Sequence, residues 1–336
     1  MKVLVNGGGN IGTTLVNLLL FYKNEIGLDE IYWCKRTINA WNQQELSLLE
    51  EKGVRLCSID NPDYPRFKEV MREVDYIFEA TANGVGLKNW ERYQQLSNLK
   101  GASAQGSEKG FGIPFMSGIN EEKIQGQKFV NVVSCNTHGS AAILSTFCGN
   151  RLEHLAEADF VVVRRSEDLG NHQRLVSGNV VARHLDATIG THHGIDVIDM
   201  FKTIGVDCNL TSSDITTPSQ LTHSVRFNIQ FKNGIPKNID ALIVNNPFMA
   251  TTNKFDSNVV FELGRRYGFQ GRLYSHAILV KSNFLVTENS IKGWAFVPQE
   301  GNSILSTINA FLLQTSHPNS VDIMQHLKAD LLREEW

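Results

Sequence analysis

Cysteine and proline are scarce in this chain, and neither sign of charge dominates it. Its 336 residues include 5 Cys and 8 Pro. The cysteine count is odd and no two form a C-x-x-C pair, which argues against a disulfide framework and against a thiolate zinc site. Lys+Arg 32 against Asp+Glu 35 gives a formal net charge of -3, so no global field calls for nucleic acid or an acidic membrane. The longest apolar run, around Leu15 to Phe21, is far too short to span a bilayer. Met1-Lys2-Val3-Leu4-Val5 enters an apolar strand directly, without a basic leader or a small-residue cleavage site. These absences predict a reduced, cytoplasmic protein with neither nucleic-acid nor membrane partners. What remains is ordinary globular usage, 42% hydrophobic and 20% charged, at a length that suits two domains.

Glycine is placed where it carries chemistry. A short β-rich run, Lys2 to Val5, leads into Asn6-Gly7-Gly8-Gly9-Asn10-Ile11-Gly12, and Leu15, Leu18, Leu19 and Tyr22 then recur at helical spacing. Strand, glycine turn and helix in that order are the context in which G-x-G-x-x-G points to a dinucleotide. Gly7 permits the tight turn, Gly9 lets backbone approach a pyrophosphate, and Gly12 lets helix and strand pack closely. The helix N-terminus then faces the phosphates. The next strand, Glu30 to Cys34, ends in Lys35-Arg36-Thr37. A carboxylate there would hold a ribose 2′-OH, whereas a basic end suits a 2′-phosphate, so Lys35 and Arg36 predict NADP as the preferred cofactor, with NAD as the alternative.

Strands at Gly53 to Cys57, Asp75 to Glu79, Gly101 to Gln105 and Phe129 to Ser134, with a helix over Tyr64 to Glu73, continue the α/β alternation. The pattern predicts a Rossmann-type parallel sheet with ligands at the carboxyl ends of its strands. Beyond about residue 150 it changes. Phe160 to Arg165, Leu273 to Val286 and Ile291 to Val297 read as strands, and His223 to Phe231 alternates strictly, Val225, Phe227, Ile229 and Phe231 facing one way. That predicts an α+β domain on an antiparallel or mixed sheet. Closing helices are expected over Ser303 to Gln314 and Val321 to Arg333. The predicted division is 1–134 with 303–336 for the dinucleotide domain and 135–302 for the catalytic domain.

The most informative segment is Phe129 to Gly139, a buried strand that ends at Cys135 just before a helix. A cysteine at a helix N-terminus feels the positive end of the dipole, which favours thiolate. Cys34, Cys57, Cys148 and Cys208 lack that placement and read as small buried hydrophobes. A thiolate nucleophile needs a base. His223 has the parity of the apolar stripe and points inward, which fits a base and a satisfied core histidine equally well. Arg164-Arg165 ends a strand and His192-His193 lies in a Gly-containing loop; together they suit a phosphate dianion. Adjacent histidines are expected to point apart, so no metal site is read.

At these residues the chain resembles the archaeal-type (class II) glyceraldehyde-3-phosphate dehydrogenases. The shared pieces are Val5-Asn6-Gly7 through Gly12, Gly84 to Asn89, Gln105-Gly106-Ser107-Glu108-Lys109, Val133-Ser134-Cys135-Asn136-Thr137, Val163-Arg164-Arg165, His192-His193-Gly194-Ile195-Asp196, Glu262-Leu263-Gly264-Arg265 and Gln299-Glu300. The resemblance implies a two-domain, usually tetrameric enzyme whose C-terminal segment, Ser303 to Trp336, docks on residues 1–134. It implies Cys135 as nucleophile, with Ser134, Asn136 and Thr137 around the substrate carbonyl. Asn10, Ile11, Gly106, Arg165 and Gln299 would line the dinucleotide, and His193 and Gly194, beside Arg164 and His192, would touch substrate. The family's base sits in a P-x-x-L-x-H stretch, matched by Pro218-Ser219-Gln220-Leu221-Thr222-His223; a register two residues different would put Leu221 there.

The implied reaction is NAD(P)-dependent, phosphorylating oxidation of a phosphorylated aldehyde through a Cys135 thiohemiacetal and thioester, with inorganic phosphate as acceptor. Departures surround the substrate pocket. Only Ile38 to Gly53 stands where relatives carry a longer segment, Pro298 replaces a common histidine, the Arg165 to His192 loop is longer, and His138 precedes Gly139. They keep two alternatives open: a specialised relative acting on another phosphorylated or acyl-phosphate metabolite, and a dinucleotide-sensing protein without turnover.

Overall fold

The computed structural model describes residues 1–106, 108–166, 176–218 and 221–336, so Ser107, Ser219 and Gln220 of the motifs above, and part of the loop after Arg165, lie outside the described residues. The chain forms two compact units. The first comprises Met1–Phe115, Glu121–Val132 and Ser306–Met324, and the second comprises Met116–Asn120, Val133–Leu305 and Gln325–Trp336.

The first unit is a seven-stranded sheet of β1 (Lys2–Asn6), β2 (Glu30–Lys35), β3 (Val54–Ser58), β4 (Tyr76–Glu79), β5 (Gly101–Gln105), β6 (Ile113–Phe115) and β7 (Phe129–Val132). Its order is β3-β2-β1-β4-β5-β7-β6, and every pairing is parallel. Val3, Leu4 and Val5 are fully buried, as expected of a central parallel strand covered on both faces. The chain runs outward from β1 through β2 to β3, then returns to add β4 on the other side. That reversal sets the crevice in which α/β sheets take ligands at the carboxyl ends of β1 and β4. Helix Asn10–Phe21 covers one face with Leu15, Val16, Leu18 and Leu19. Phe311, from helix Ile304–Gln314, packs on Tyr76 and Phe78. The expected helix over Tyr64 to Glu73 shrinks to one turn, Phe67–Val70, because Pro65 forces extended backbone before it and its carbonyl instead accepts from Ser58 N at 3.0 Å.

The second unit holds β8 (Leu155–Arg165), β9 (Val180–Val181), β10 (Leu210–Thr217), β11 (His223–Phe231), β12 (Met249–Thr252), β13 (Ala277–Val280), β14 (Leu285–Val286) and β15 (Ser290–Val297). The order is β12-β13-β15-β11-β8-β10-β9, with β14 on β15, and the sheet is mixed: β8 runs parallel to β10 but antiparallel to β11. The alternation of β11 is as predicted, with Val225, Phe227, Ile229 and Phe231 buried. The single expected strand over Leu273 to Val286 is two, broken by a turn at Lys281–Asn283. Helix Cys135–Cys148 is buried along almost its whole length. Gly139 allows this: a Cβ there would stand 2.7 Å from Val297 Cγ2. The chain's last residues belong to this unit rather than to the first. Trp336 N donates to Thr251 O at 2.9 Å, and Thr251 N donates to Glu334 O at 2.8 Å.

Candidate active site

In the first unit the glycine turn has the shape a pyrophosphate requires. Gly7 takes φ +123°, and a Cβ on it would stand 2.2 Å from Ala80 O. A Cβ on Gly12 would meet Gly7 O at 2.1 Å, so helix and strand approach as closely as backbone permits. Over Gly9 there is open space, and no side chain caps the helix that begins at Asn10 and Ile11. A dinucleotide fits this cradle, with anion-binding amides at an uncapped helix start. Gly106, at φ +78°, ends β5; its N donates to Val132 O at 2.9 Å, and space is open above its Cα. Behind the cradle the Glu79 carboxylate is buried and accepts from Asn6 Nδ2, Asn89 Nδ2 and Tyr93 OH, which fixes the end of β4.

The basic end of β2 divides. Lys35 Nζ lies 3.4 Å from Gly8 O and 4.4 Å from the Trp33 ring centroid, folded onto the glycine turn, where burial lowers its pKa. Arg36 is exposed and pairs with Asp60 at 3.5 Å. The strand itself carries no carboxylate, yet Asp60, just beyond β3, brings one to its end.

The thiol lies in the second unit. Cys135 is the first residue of its helix and is half-buried; the other four cysteines are buried. Burial pushes Cys148 and Cys208 up to about 12, and contact with Cys57, followed by burial, raises Cys34. Ser134 caps the helix: its Oγ accepts from Thr137 N at 3.4 Å and lies 2.9 Å from Thr137 Oγ1. Asn136 is buried beside it. Asn302 Nδ2 donates to Cys135 O at 2.9 Å and to His276 O at 3.0 Å, tying the loop after β15 to the turn that carries Cys135. His138 is sealed behind this turn, its Nδ1 3.1 Å from Ser134 O, and burial drives its pKa down to about 4.

Strand ends and that loop meet around Arg165. Its backbone N donates to His223 Nδ1 at 3.1 Å, and its Nη1 donates to Leu221 O at 2.9 Å and pairs with Glu300 at 3.3 Å. Arg272 holds the same carboxylate at 3.1 Å. His223 is buried, and burial, then Arg165 and Arg164, push its pKa down to about 3 against an opposing hydrogen bond with Gln299. The imidazole is therefore neutral at pH 7. Because Nδ1 accepts the Arg165 amide, Nε2 carries the proton.

A third cluster sits at the start of helix His192–Lys202. The expectation that adjacent histidines point apart is incorrect: the His192 and His193 ring centroids are 3.8 Å apart at 42°. Rotamers at a helix start override the roughly 100° separation of successive residues. His193 is buried, and burial, then His192, Arg164 and His223, hold its pKa well below the usual histidine range. Its Nε2 is 3.5 Å from Asp214 Oδ2, while Arg164 Nη1 is 3.9 Å from Asp214 Oδ1. Gly194 N is committed to Ser212 Oγ at 2.9 Å, and a Cβ on Gly194 would stand 2.7 Å from that oxygen, so its contribution is closeness of backbone.

Of the residues expected at a site, Cys135, Ser134, Asn136, Thr137, Arg164, Arg165, His192, His193, Gly194, His223 and Gln299 all fall in the second unit. Gly7, Gly9, Asn10, Ile11, Gly12, Lys35, Arg36 and Gly106 fall in the first. The sequence alone does not single out Asp214, Arg272 or Asn302. For Asp214 the signal is the period of two in Leu210-Thr211-Ser212-Ser213-Asp214, which puts an aspartate on the buried face.

No family model matches the chain. It is similar to proteins named glyceraldehyde-3-phosphate dehydrogenase. It is 27% identical to that of Sulfurisphaera tokodaii over 66% of this chain and 64% of that protein. With that of Saccharolobus islandicus the identity is 26% over 78% and 76%, and with that of Metallosphaera sedula it is 28% over 66% and 64%. The chain resembles the archaeal glyceraldehyde-3-phosphate dehydrogenases. The match spans just under two thirds of the Sulfurisphaera and Metallosphaera proteins' own length. Among the described residues no helix is long and apolar enough to cross a membrane.

Proposed function

We propose that this chain is a phosphorylating aldehyde dehydrogenase of the glyceraldehyde-3-phosphate type, using NADP in preference to NAD. The observation that carries the reading is Cys135: a half-buried thiol on the first turn of a buried 14-residue helix, while every other cysteine is sealed in a core. The helix start favours its thiolate. Cys135 Sγ attacks the aldehyde carbon and forms a thiohemiacetal. The Nε2–H of neutral His223 is a donor for the developing oxyanion, and His223 accepts a proton only as the Arg165 amide releases Nδ1. When bound at the glycine turn, the dinucleotide supplies the two-electron oxidant that makes the thioester. Arg164, His192 and His193 hold phosphate, which attacks the thioester carbonyl, and Cys135 leaves as thiolate with acyl phosphate as product. Buried Glu300, held by Arg165 and Arg272, fixes the loop that carries Gln299. Assembly as a cytoplasmic homotetramer belongs to the same reading.

The test is a rate measurement with glyceraldehyde-3-phosphate, NADP and NAD, with and without inorganic phosphate, beside unphosphorylated and other phosphorylated aldehydes. The expected result is phosphate-dependent reduction of NADP, blocked by iodoacetamide and protected by substrate. Phosphate-dependent turnover of a different aldehyde would move the reading to a specialised relative. Tight dinucleotide binding without turnover of any aldehyde would replace it with a sensor.

A further inference from the structure

We propose that His192, His193 and Asp214 form a binding site for a divalent transition-metal ion of the zinc class, with the fourth coordination position open. One ring nitrogen of each histidine and one carboxylate oxygen of Asp214 lie within 4.8 Å of one another. One edge, His193 Nε2 to Asp214 Oδ2, is 3.5 Å. Two ligands about 2.0–2.1 Å from one tetrahedral ion stand roughly 3.4 Å apart, so that edge already has the span of a ligand pair.

Burial supplies an independent indication. His193 is 4% exposed and Asp214 2%, yet neither ring nitrogen of His193 and neither oxygen of Asp214 has a hydrogen-bond partner among the described residues. Buried polar atoms without partners are rare and costly, and a bound ion would satisfy Nε2 and Oδ2 together. The scaffold is fixed on both sides. Asp214 is held in β10, between β8 and β9, and the helix carrying the histidines is pinned at its start by Ser212, whose Oγ lies 2.8 Å from Thr191 Oγ1 and accepts from Gly194 N. Arg164 faces Oδ1, leaving Oδ2 as the ligand oxygen and orienting the carboxylate from outside the ligand shell. Two imidazoles and a carboxylate suit Zn²⁺ or Co²⁺ rather than Mg²⁺ or Ca²⁺. An ion here would take both histidines from the phosphate, so it would inhibit competitively with phosphorylated substrate; that consequence alone rests on the proposed activity.

The test is a Co²⁺ titration of the Cys135→Ser protein, which removes the half-buried thiol as a rival ligand. The readouts are visible d–d absorption and calorimetric stoichiometry. One equivalent with the intense bands of a four-coordinate site is expected, displaced by Zn²⁺ and not by Mg²⁺. In that background Asp214→Asn and His192→Gln should each weaken binding by about tenfold or more. His192→Gln guards against misfolding, since His192 is only half-buried. Absence of saturable binding, or binding unchanged in both variants, overturns the site. These readouts need no turnover, so failure of the dehydrogenase reading leaves them intact.

Discussion

Two helices begin directly after a parallel strand of the first unit, and the chain starts them differently. Asn10–Phe21 follows β1 through three glycines, has no side-chain cap, and opens onto free space at Gly9. Cys135–Cys148 follows β7 through Ser134, which caps it, and sets a thiol on its first turn. Both helix starts present the same partial positive charge. The first is bare, which suits an anion brought by a ligand. The second is closed by its own serine and, in the proposed mechanism, carries its own anion, the Cys135 thiolate. On that reading backbone acts in the first unit and side chains act in the second.

The sharpest way to break this comparison is to remove the thiol from the second helix. Cys135→Ser should lose turnover by several orders of magnitude while dinucleotide still binds, because the glycine turn is untouched. Cys148→Ser, deep in the core, should cost stability more than rate. Retained turnover in Cys135→Ser, measured against titrated protein, would remove the nucleophile. The partner histidine comes next. His223→Asn should lower kcat by about 10²–10⁴-fold with little change in dinucleotide affinity. An equal loss from a substitution at His138 would move the role to that residue, against its sealed position.

Side-chain chemistry should also make the second unit acid-sensitive. His138, His193, His223 and His276 are all buried there with lowered pKa values, whereas the described histidine of the first unit, His317, is half-buried. A histidine whose folded pKa lies below its unfolded one binds fewer protons when folded. Its contribution is unaffected above about pH 6.5, and stability falls as pH drops from there toward the folded value. For His138, lowered to about 4, the loss is on the order of 2–3 kcal/mol by pH 4. Urea unfolding at pH 7 and pH 5 should show the decline, and His138→Gln should reduce it. A flat profile in the parent would place these imidazoles in contact with water.

Elements whose residues satisfy one period are legible in the sequence itself. The β1–glycine–helix unit, the β11 stripe and the Cys135 helix are of this kind, because burial on one face or both writes directly into the sequence. β10 is harder to read. Its period of two turns Leu210, Ser212 and Asp214 inward, so only Leu210 marks the buried face as apolar. Asp214 and Asn302 have partners remote in sequence, which no local pattern marks. The approach of His192 to His193 leaves no mark in the sequence, because local geometry cannot set rotamers that packing decides. The sequence shows Lys35 as basic but not as folded; a long side chain over a glycine turn has no local signature.

That folded lysine yields the smallest effect and the finest distinction between the two helix starts. If the first helix binds by backbone alone, the basic end of β2 should be irrelevant and NADP and NAD should serve equally. If Lys35 supplements it, the 2′-phosphate, close to two negative charges, gains a charge-assisted hydrogen bond. Such a bond is worth roughly 1.5–3 kcal/mol, at the lower end for a half-exposed group, and about 1.4 kcal/mol is a factor of ten. Arg36 should add less than Lys35, because Asp60 already holds it at 3.5 Å and presents a carboxylate to the same phosphate. The expected order follows. Lys35→Ala should lower kcat/KM for NADP about tenfold and leave NAD nearly unchanged. Arg36→Ala should lower it by less, and Asp60→Asn should raise it modestly by removing the competing charge. Equal kcat/KM for the two cofactors in the parent, or a preference for NADP that survives the Lys35→Ala, Arg36→Ala double variant, would show that the glycine turn binds without side-chain help.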